Sequence, residues 1–187
     1  MYIEAVSVSR YRPWSDFDGV KVISGSTSSD TRGFFSRFDL QNDLHSSDIW
    51  SIGSSLNDKN GTFRGIHIQK KPYEQLKVVW VSNGKLVDVI VDLRRDSSTF
   101  LDWSSIELEP NGRAILIPRG FGHGYLTLED STILNYLFDA PYMPEYSRKI
   151  NVRDPELNIE IAHDIRYMSG SDEIAPSVLE FLGEALG

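Results

Sequence analysis

Several short stretches of this chain carry side chains suited to acid–base chemistry in apolar surroundings. In TFRGIHIQ, residues 62–69, strand alternation puts His67 on one face with Phe63, Gly65 and Gln69, opposite Ile66 and Ile68, so an imidazole and an amide point the same way. In EQLKVVWV, residues 74–81, Gln75 and Lys77 share a face with Val79, opposite Leu76, Val78 and Trp80. A lysine inside an apolar strand is costly unless its ammonium meets water, a carboxylate or an anionic ligand. In KLVDVIVDLR, residues 85–94, Val87, Val89, Val91 and Leu93 make an unbroken apolar face, and the other face interleaves Leu86 and Ile90 with Asp88 and Asp92. One such polar group is ordinarily satisfied inside a core, whereas several converging from adjacent strands indicate a ligand. IPRGFGHGY, residues 117–125, sets His123 among three glycines that allow close backbone approach. Tyr136 shares a face with Leu134 and Phe138, where a core tyrosine needs only one partner for its hydroxyl. Asp154 stands directly before Pro155, a pairing that usually marks a turn.

Positioning these groups requires strands. Most apolar segments are short, β-branched or aromatic, and bounded by Gly, Pro, Asn or Asp, which predicts strands over 3–8, 20–24, 34–39, 62–69, 74–81, 85–94, 104–109, 113–117, 122–128 and 133–139. About ten strands so spaced predict a sandwich or barrel. Asn83-Gly84 is a strong hairpin signal and pairs the run before it with the run after it. Near the end, Pro176 and the Ser177 to Glu180 capping-box spacing precede Val178, Leu179, Phe181 and Leu182, which predicts a helix packed on the outside of the barrel. Residues 40–61 carry mixed signals and read as a loop with a short helical turn. No repeat or linker divides the chain, so residues 1–187 read as one domain.

Composition narrows the function. The 187 residues are 40% hydrophobic and 25% charged, enough for one complete core, which excludes disorder of the whole chain. A net charge of -8 argues against nucleic acid and anionic membranes as partners, so a phosphate-bearing ligand must be held by a few local cations. Without cysteine there is no disulfide, thiolate metal site or thiol nucleophile, which fits a reducing compartment and the cytoplasm. No stretch approaches the roughly 18 apolar residues of a membrane span.

Taken together, DTRGFF, FRGIHIQ, QLKVV, GKLVDVIVDLRRDSSTF, IPRGFGHGYL, NY and RDPELNI, in that order from about Asp30 to Ile161, resemble the dTDP-4-dehydrorhamnose 3,5-epimerase family of cupin-fold sugar-nucleotide epimerases. The resemblance implies an all-β double-stranded β-helix, or jelly roll, with a C-terminal helix. It also implies a homodimer whose N-terminal strands add to the partner's sheet, and a nucleotide-diphosphate-linked 4-keto-6-deoxy sugar as substrate. A base removes the proton beside the ketone and an acid returns one to the opposite face of the enolate. Carried over by motif, His67 looks like the base, oriented by Asp154, and Tyr136 like the acid, while Lys77 fits the cation that stabilises the enolate oxygen. Arg32 and Arg64 match positions that contact the nucleotide or its diphosphate, and Gln69, Asp88, His123 and Tyr142 match positions that line the substrate site.

The Pro-x-Gly-x-x-His spacing of Pro118, Gly120 and His123 is that of the second cupin motif. The first motif offers His67-Ile68-Gln69 where a metal-binding cupin has His-x-His, so neither a metal nor a cofactor is expected. The chain departs from the family at Arg37, where a Glu is usual, over Ile52 to Asp58, at Leu137, where a Lys is common, and in Pro141-Tyr142-Met143-Pro144-Glu145, where Tyr-Tyr-x-Pro-Glu is common. These changes gather on the nucleotide side and leave dTDP, CDP or another base open. Two other functions compatible with the same barrel are sugar-nucleotide ketoisomerisation and non-catalytic sugar-nucleotide binding.

Overall fold

Alternation gives most of these strands two apolar faces of different company, and the fold sorts them into layers. The structure, a computed structural model, describes residues 10–31, 33–38, 40, 44 and 49–184. Its strands are β1 (Lys21–Ser24), β2 (Ser26–Asp30), β3 (Gly33–Arg37), β4 (Ser51–Asn57), β5 (Phe63–Gln69), β6 (Lys77–Asn83), β7 (Leu86–Asp92), β8 (Trp103–Leu108), β9 (Arg113–Ile117), β10 (Phe121–Thr127), β11 (Thr132–Phe138) and β12 (Ser147–Lys149). Two short helices follow, α1 (Gly170–Glu173) and α2 (Val178–Glu184). One antiparallel sheet runs β1-β9-β6-β11-β4, the other runs β12-β5-β10-β7-β8, and β2 and β3 form a separate hairpin. Stacked face to face, the two sheets make the jelly roll.

Between the sheets, Val79, Val81, Leu86, Ile90, Leu108, Ile115, Ile117, Phe121, Tyr125 and Leu134 form the inner core. The outer face of the second sheet, with Val87, Val89, Val91 and Leu93, packs on Ile150, Val152, Leu157, Val178 and Phe181. Each of these fully buried aliphatic side chains contributes about 1.5–3 kcal/mol of transfer free energy. The C-terminal helix is thus docked outside the barrel, as its apolar spacing predicts. Its start is the expected capping box: Ser177 N and Oγ both donate to Glu180 Oε2 (2.7 and 2.8 Å), and Glu180 N donates back to Ser177 Oγ at 3.2 Å. Among the described residues no helix is long and apolar enough to cross a membrane.

Three local expectations are corrected. Asn83-Gly84 reverses the chain, but β6 pairs with β9 and β11 whereas β7 pairs with β8 and β10, so the turn crosses between sheets and closes no hairpin. Gly84 has φ +75°, and a Cβ there would lie 2.3 Å from Thr132 Oγ1, which makes this a tight corner rather than a hairpin tip. Residues 51–57 form β4, the edge strand of the first sheet, within the stretch read as a loop with a helical turn; its register on β11 is continuous from Asn57↔Thr132 to Ser51↔Phe138. In β5, Phe63 does not share a face with His67. Tyr125 pairs with Arg64 and His123 pairs with His67, so Gly65 and Ile66 together oppose Gly124. That β-bulge shifts the phase by one, sending Phe63 outward with Ile66 and Ile68 and bringing Arg64 inward beside His67. Gly65 permits it, with φ +139° and a position where a Cβ would meet Gly124 Cα at 2.5 Å. The strand expected over residues 3–8 lies outside the described residues.

Candidate active site

The bulge and the two sheets open one end of the barrel into a cavity of about 510 Å³, lined by Ser51, Ser55, Arg64, His67, Ile68, Gln69, Gln75, Lys77, His123, Tyr125, Tyr136, Phe138, Tyr142, Ser147 and Lys149. His67 and His123 come from β5 and β10 of the second sheet, where they are register partners. Lys77 and Tyr136 come from β6 and β11 of the first sheet, where Tyr136 pairs with Val79, two residues from Lys77. The imidazole and the phenol therefore stand on opposing walls with the ammonium in the same chamber.

The carboxylate that meets His67 is that of Asp172 on α1, not that of Asp154. His67 Nε2 donates to Asp172 Oδ1 at 2.8 Å, which leaves Nδ1 as the nitrogen with the free lone pair in the neutral ring. Asp154 is spent on the backbone. Its Oδ1 accepts from Glu156 N (2.7 Å) and Leu157 N (3.4 Å), and its Oδ2 accepts from Val178 N at 2.7 Å, so it ties the Asp-Pro turn to the start of α2. Sequence reading passed over Asp172 because it lies 105 residues beyond His67. Its local signal, the Ser169-x-x-Asp172 spacing in which Asp172 N donates to Ser169 Oγ at 3.2 Å, announces a helix start and not a partner. Lys149, likewise unforeseen, donates to the same Asp172 Oδ1 at 2.6 Å and to Ser171 Oγ at 2.6 Å.

Electrostatics fit a base on one wall and an acid on the other. Burial first of all, with the nearby charges of Lys149 and Lys77, pushes His67 below its ordinary value against the upward pull of Asp172, which favours the neutral ring. Against the upward push of burial, hydrogen bonds from His67 and Lys149 hold Asp172 below the usual carboxylate range. Tyr136 is raised well above its ordinary value, first by burial and then by Tyr125 and the charge of Asp88, so it carries its proton throughout the working range. Burial brings Lys77 down from 10.5 to about 8 against the opposing pull of Asp88.

The remaining expected residues divide into those that face the cavity and those that hold its walls. His123 Nε2 donates to Asp88 Oδ2 at 2.7 Å, both groups being buried, and Asp88 Oδ1 has no hydrogen-bond partner among the described residues. Arg64 is exposed, with Nε donating to Asn57 Oδ1 at 2.9 Å and the rest of its guanidinium available at the cavity. Gln69 lines the cavity, but its amide serves the backbone: Nε2 donates to Tyr73 O and to Pro141 O (2.9 Å), and Oε1 accepts from Met143 N at 2.8 Å. It thereby fixes the loop that presents exposed Tyr142 at the cavity mouth. Arg32 lies outside the described residues. Tyr125, whose hydroxyl bonds Ser55 Oγ at 2.9 Å and donates to Asn57 Oδ1 at 3.2 Å, was missed because its glycine-rich segment drew notice to His123. Among the described residues no three His, Cys, Asp or Glu side chains converge as metal ligands.

Known proteins share the sequence pattern and the fold of this chain. Residues 15–180 match the family model described as dTDP-4-dehydrorhamnose 3,5-epimerase. A dTDP-4-dehydrorhamnose 3,5-epimerase of Sinorhizobium fredii is 33% identical over 187 residues, covering 96% of this chain and 91% of the relative. The crystal structure of dTDP-4-dehydrorhamnose 3,5-epimerase from Bacillus anthracis, with TDP and PPi bound, superposes with a TM-score of 0.80 at 34% identity over 85% of this chain and 94% of that one. ChmJ, a 3'-monoepimerase from Streptomyces bikiniensis in complex with dTDP-quinovose, gives 0.80 at 29% identity over 88% of this chain and 87% of its own. With the family model spanning nearly the whole jelly roll and the cavity, the chain belongs to the dTDP-4-dehydrorhamnose 3,5-epimerase family.

Proposed function

We propose that this enzyme inverts one or both carbons flanking the ketone of a nucleotide-diphosphate-linked 4-keto-6-deoxy sugar, with dTDP as the carrier that the family supports. The observation that carries the proposal is the placement of His67 and Tyr136 on opposing sheets of one cavity that also holds Lys77. A proton beside a ketone is acidic only if the resulting enolate is stabilised, and a buried ammonium does that without solvent reorganisation. His67 Nδ1 takes the proton, and Asp172 fixes the tautomer and stabilises the imidazolium that forms. Tyr136, protonated and approaching from the other wall, returns a proton to the opposite face. Retention follows when the proton goes back from His67, and inversion follows when it comes from Tyr136. Arg64 and Tyr142 at the mouth receive the diphosphate and the nucleotide base, and His123, held by Asp88, orients the sugar; Arg32 is assigned to the same nucleotide end by its motif.

A homodimer completes this reading. On the β2–β3 hairpin Phe34 and Phe35 are 54% and 61% exposed, and on edge strand β4 Ile52 is 71% exposed, an apolar surface suited to a second copy. Sedimentation or light scattering at the mass of one chain would remove this part of the proposal. A single domain and a cytoplasmic location fit the continuous inner core and the cysteine-free sequence.

The test is solvent exchange. In deuterated water with a dTDP-linked 4-keto-6-deoxy sugar, the enzyme incorporates deuterium at the carbons beside the ketone, and ring-proton couplings report inversion and distinguish it from carbonyl migration. His67→Asn abolishes both exchange and inversion, whereas Tyr136→Phe retains exchange and loses inversion. Equal loss of exchange in the two variants would contradict the division of roles, and absence of exchange in the wild type with each of several nucleotide carriers would contradict catalysis.

A further inference from the structure

We infer that Lys149 is a positioning residue for the base: its ammonium shares a single carboxylate oxygen of Asp172 with His67 and holds the ring in its neutral, proton-accepting form. This rests on the proposed role of His67 and adds to it a control that the acid–base pair alone does not have.

The geometry is specific. Lys149 Nζ and His67 Nε2 both donate to Asp172 Oδ1, at 2.6 and 2.8 Å. Lys149 sits directly opposite His67 in the β12–β5 register, and Ser171 Oγ takes a further hydrogen bond from Nζ at 2.6 Å, so the backbone and α1 together place the ammonium. A buried carboxylate beside an imidazole ordinarily draws a second proton onto the ring, because the ion pair removes an isolated buried charge. Here Lys149 already neutralises Asp172, and protonating His67 would put two cations on one oxygen. The ring is faced by Asp172 on α1, Lys149 on β12, Lys77 on β6, Tyr136 on β11, His123 with Asp88 behind it on β10 and β7, and Arg64 on its own strand. Of these only Asp172 and the more distant Asp88 favour the imidazolium, and Lys149 is the cation that contacts the same carboxylate oxygen. The consequence is a trade: a weaker base, but one with a larger share of molecules in the accepting form at neutral pH.

The experiment is an NMR titration of the His67 ring in the free, full-length protein, with His67→Asn used to assign its resonance. Lys149→Gln keeps a hydrogen-bond donor toward Asp172 and removes only the charge, and Lys149→Arg keeps the charge. The expected result is a His67 midpoint raised by about one pH unit in Lys149→Gln and restored to near the wild-type value in Lys149→Arg. The acid limb of the exchange rate moves with it. An unmoved midpoint in Lys149→Gln, an equal shift in both variants, or a rise in KM for the sugar nucleotide with the midpoint unmoved would overturn the inference. The titration needs no substrate, so it decides the role of Lys149 separately from the exchange assay that decides the function.

Discussion

Lys77 links the enolate chemistry to a measurable pH. In the proposed reaction the cationic form stabilises negative charge on the ketone oxygen, and burial brings the Lys77 midpoint down to about 8. The sign follows directly: the active form is populated below the midpoint and lost as pH rises through it. With a midpoint near 8, about nine-tenths of the molecules carry the ammonium at pH ~7 and about one-tenth at pH ~9, so kcat/KM for exchange falls roughly tenfold over that interval. Tyr136 titrates well above this window and supplies no competing limb. The acid side is set by His67, held below its ordinary value, so the profile is a bell whose lower limb lies under about pH 6.5. The assay is the initial rate of loss of the proton signal beside the ketone in deuterated buffers across the range. Lys77→Gln lowers the plateau by about 10²–10³ and removes the basic limb; Lys77→Arg keeps a cation and carries the limb out of the window. A basic limb that persists at the same pH in Lys77→Gln would refute the assignment of that ionisation and of the enolate contact.

Asp154→Ala and Asp172→Ala separate a backbone strut from the carboxylate that positions His67. The first removes the acceptor for three backbone amides and costs about 1–3 kcal/mol in urea melts, with exchange per folded molecule close to wild type. The second leaves α2 capped and lowers exchange by about 10² or more. Gly65→Ala drives a Cβ to 2.5 Å from the Gly124 backbone at a φ of +139°, and we expect a loss of more than about 3 kcal/mol or of soluble protein; normal stability would remove the bulge from the account.

What the sequence revealed of the site was what strand alternation alone determines. His67, Lys77, Asp88, His123 and Tyr136 all reach the cavity or its buried wall because alternation holds locally around each of them and the opposite face there is plainly apolar. Arg64 was recovered only through the family motif, since the bulge at Gly65 and Ile66 changes the phase and no alternation rule contains it. Asp172 and Lys149 reach His67 by closure of the C-terminal segment over β5, a contact between residues far apart in the chain that local pattern does not encode. Asp154 drew attention as a carboxylate before a proline, and the ordinary reading of that pair as a turn is the one the fold uses. Asn83-Gly84 specified a chain reversal but not which sheet each flanking strand joins. SIGSSLN in β4 has weak strand propensity because its Ser and Gly residues sit on an edge, where β11 supplies the pairing that the sequence does not demand.

Two histidines face the same cavity, each bound to a carboxylate, and accessibility separates their roles. The His67 side chain is 40% exposed while that of His123 is 4% exposed, so only the first can meet a carbon acid on the substrate with a free ring nitrogen. The His123–Asp88 pair is largely buried in the cavity wall, and among the described residues Asp88 Oδ1 has no hydrogen-bond partner beside the field of Lys77. That unmatched charge sustains the ammonium in a place where burial works against it. Asp88→Asn retains an acceptor for His123 Nε2 and removes only the charge, so Lys77 loses its supporting anion and its midpoint falls further. The basic limb of the exchange profile then moves down by about one pH unit, toward the range where His67 is still gaining its accepting form, and the bell narrows. A limb that stayed near pH 8 or moved upward would mean that Asp88 serves His123 alone and that the ammonium is held by the ligand.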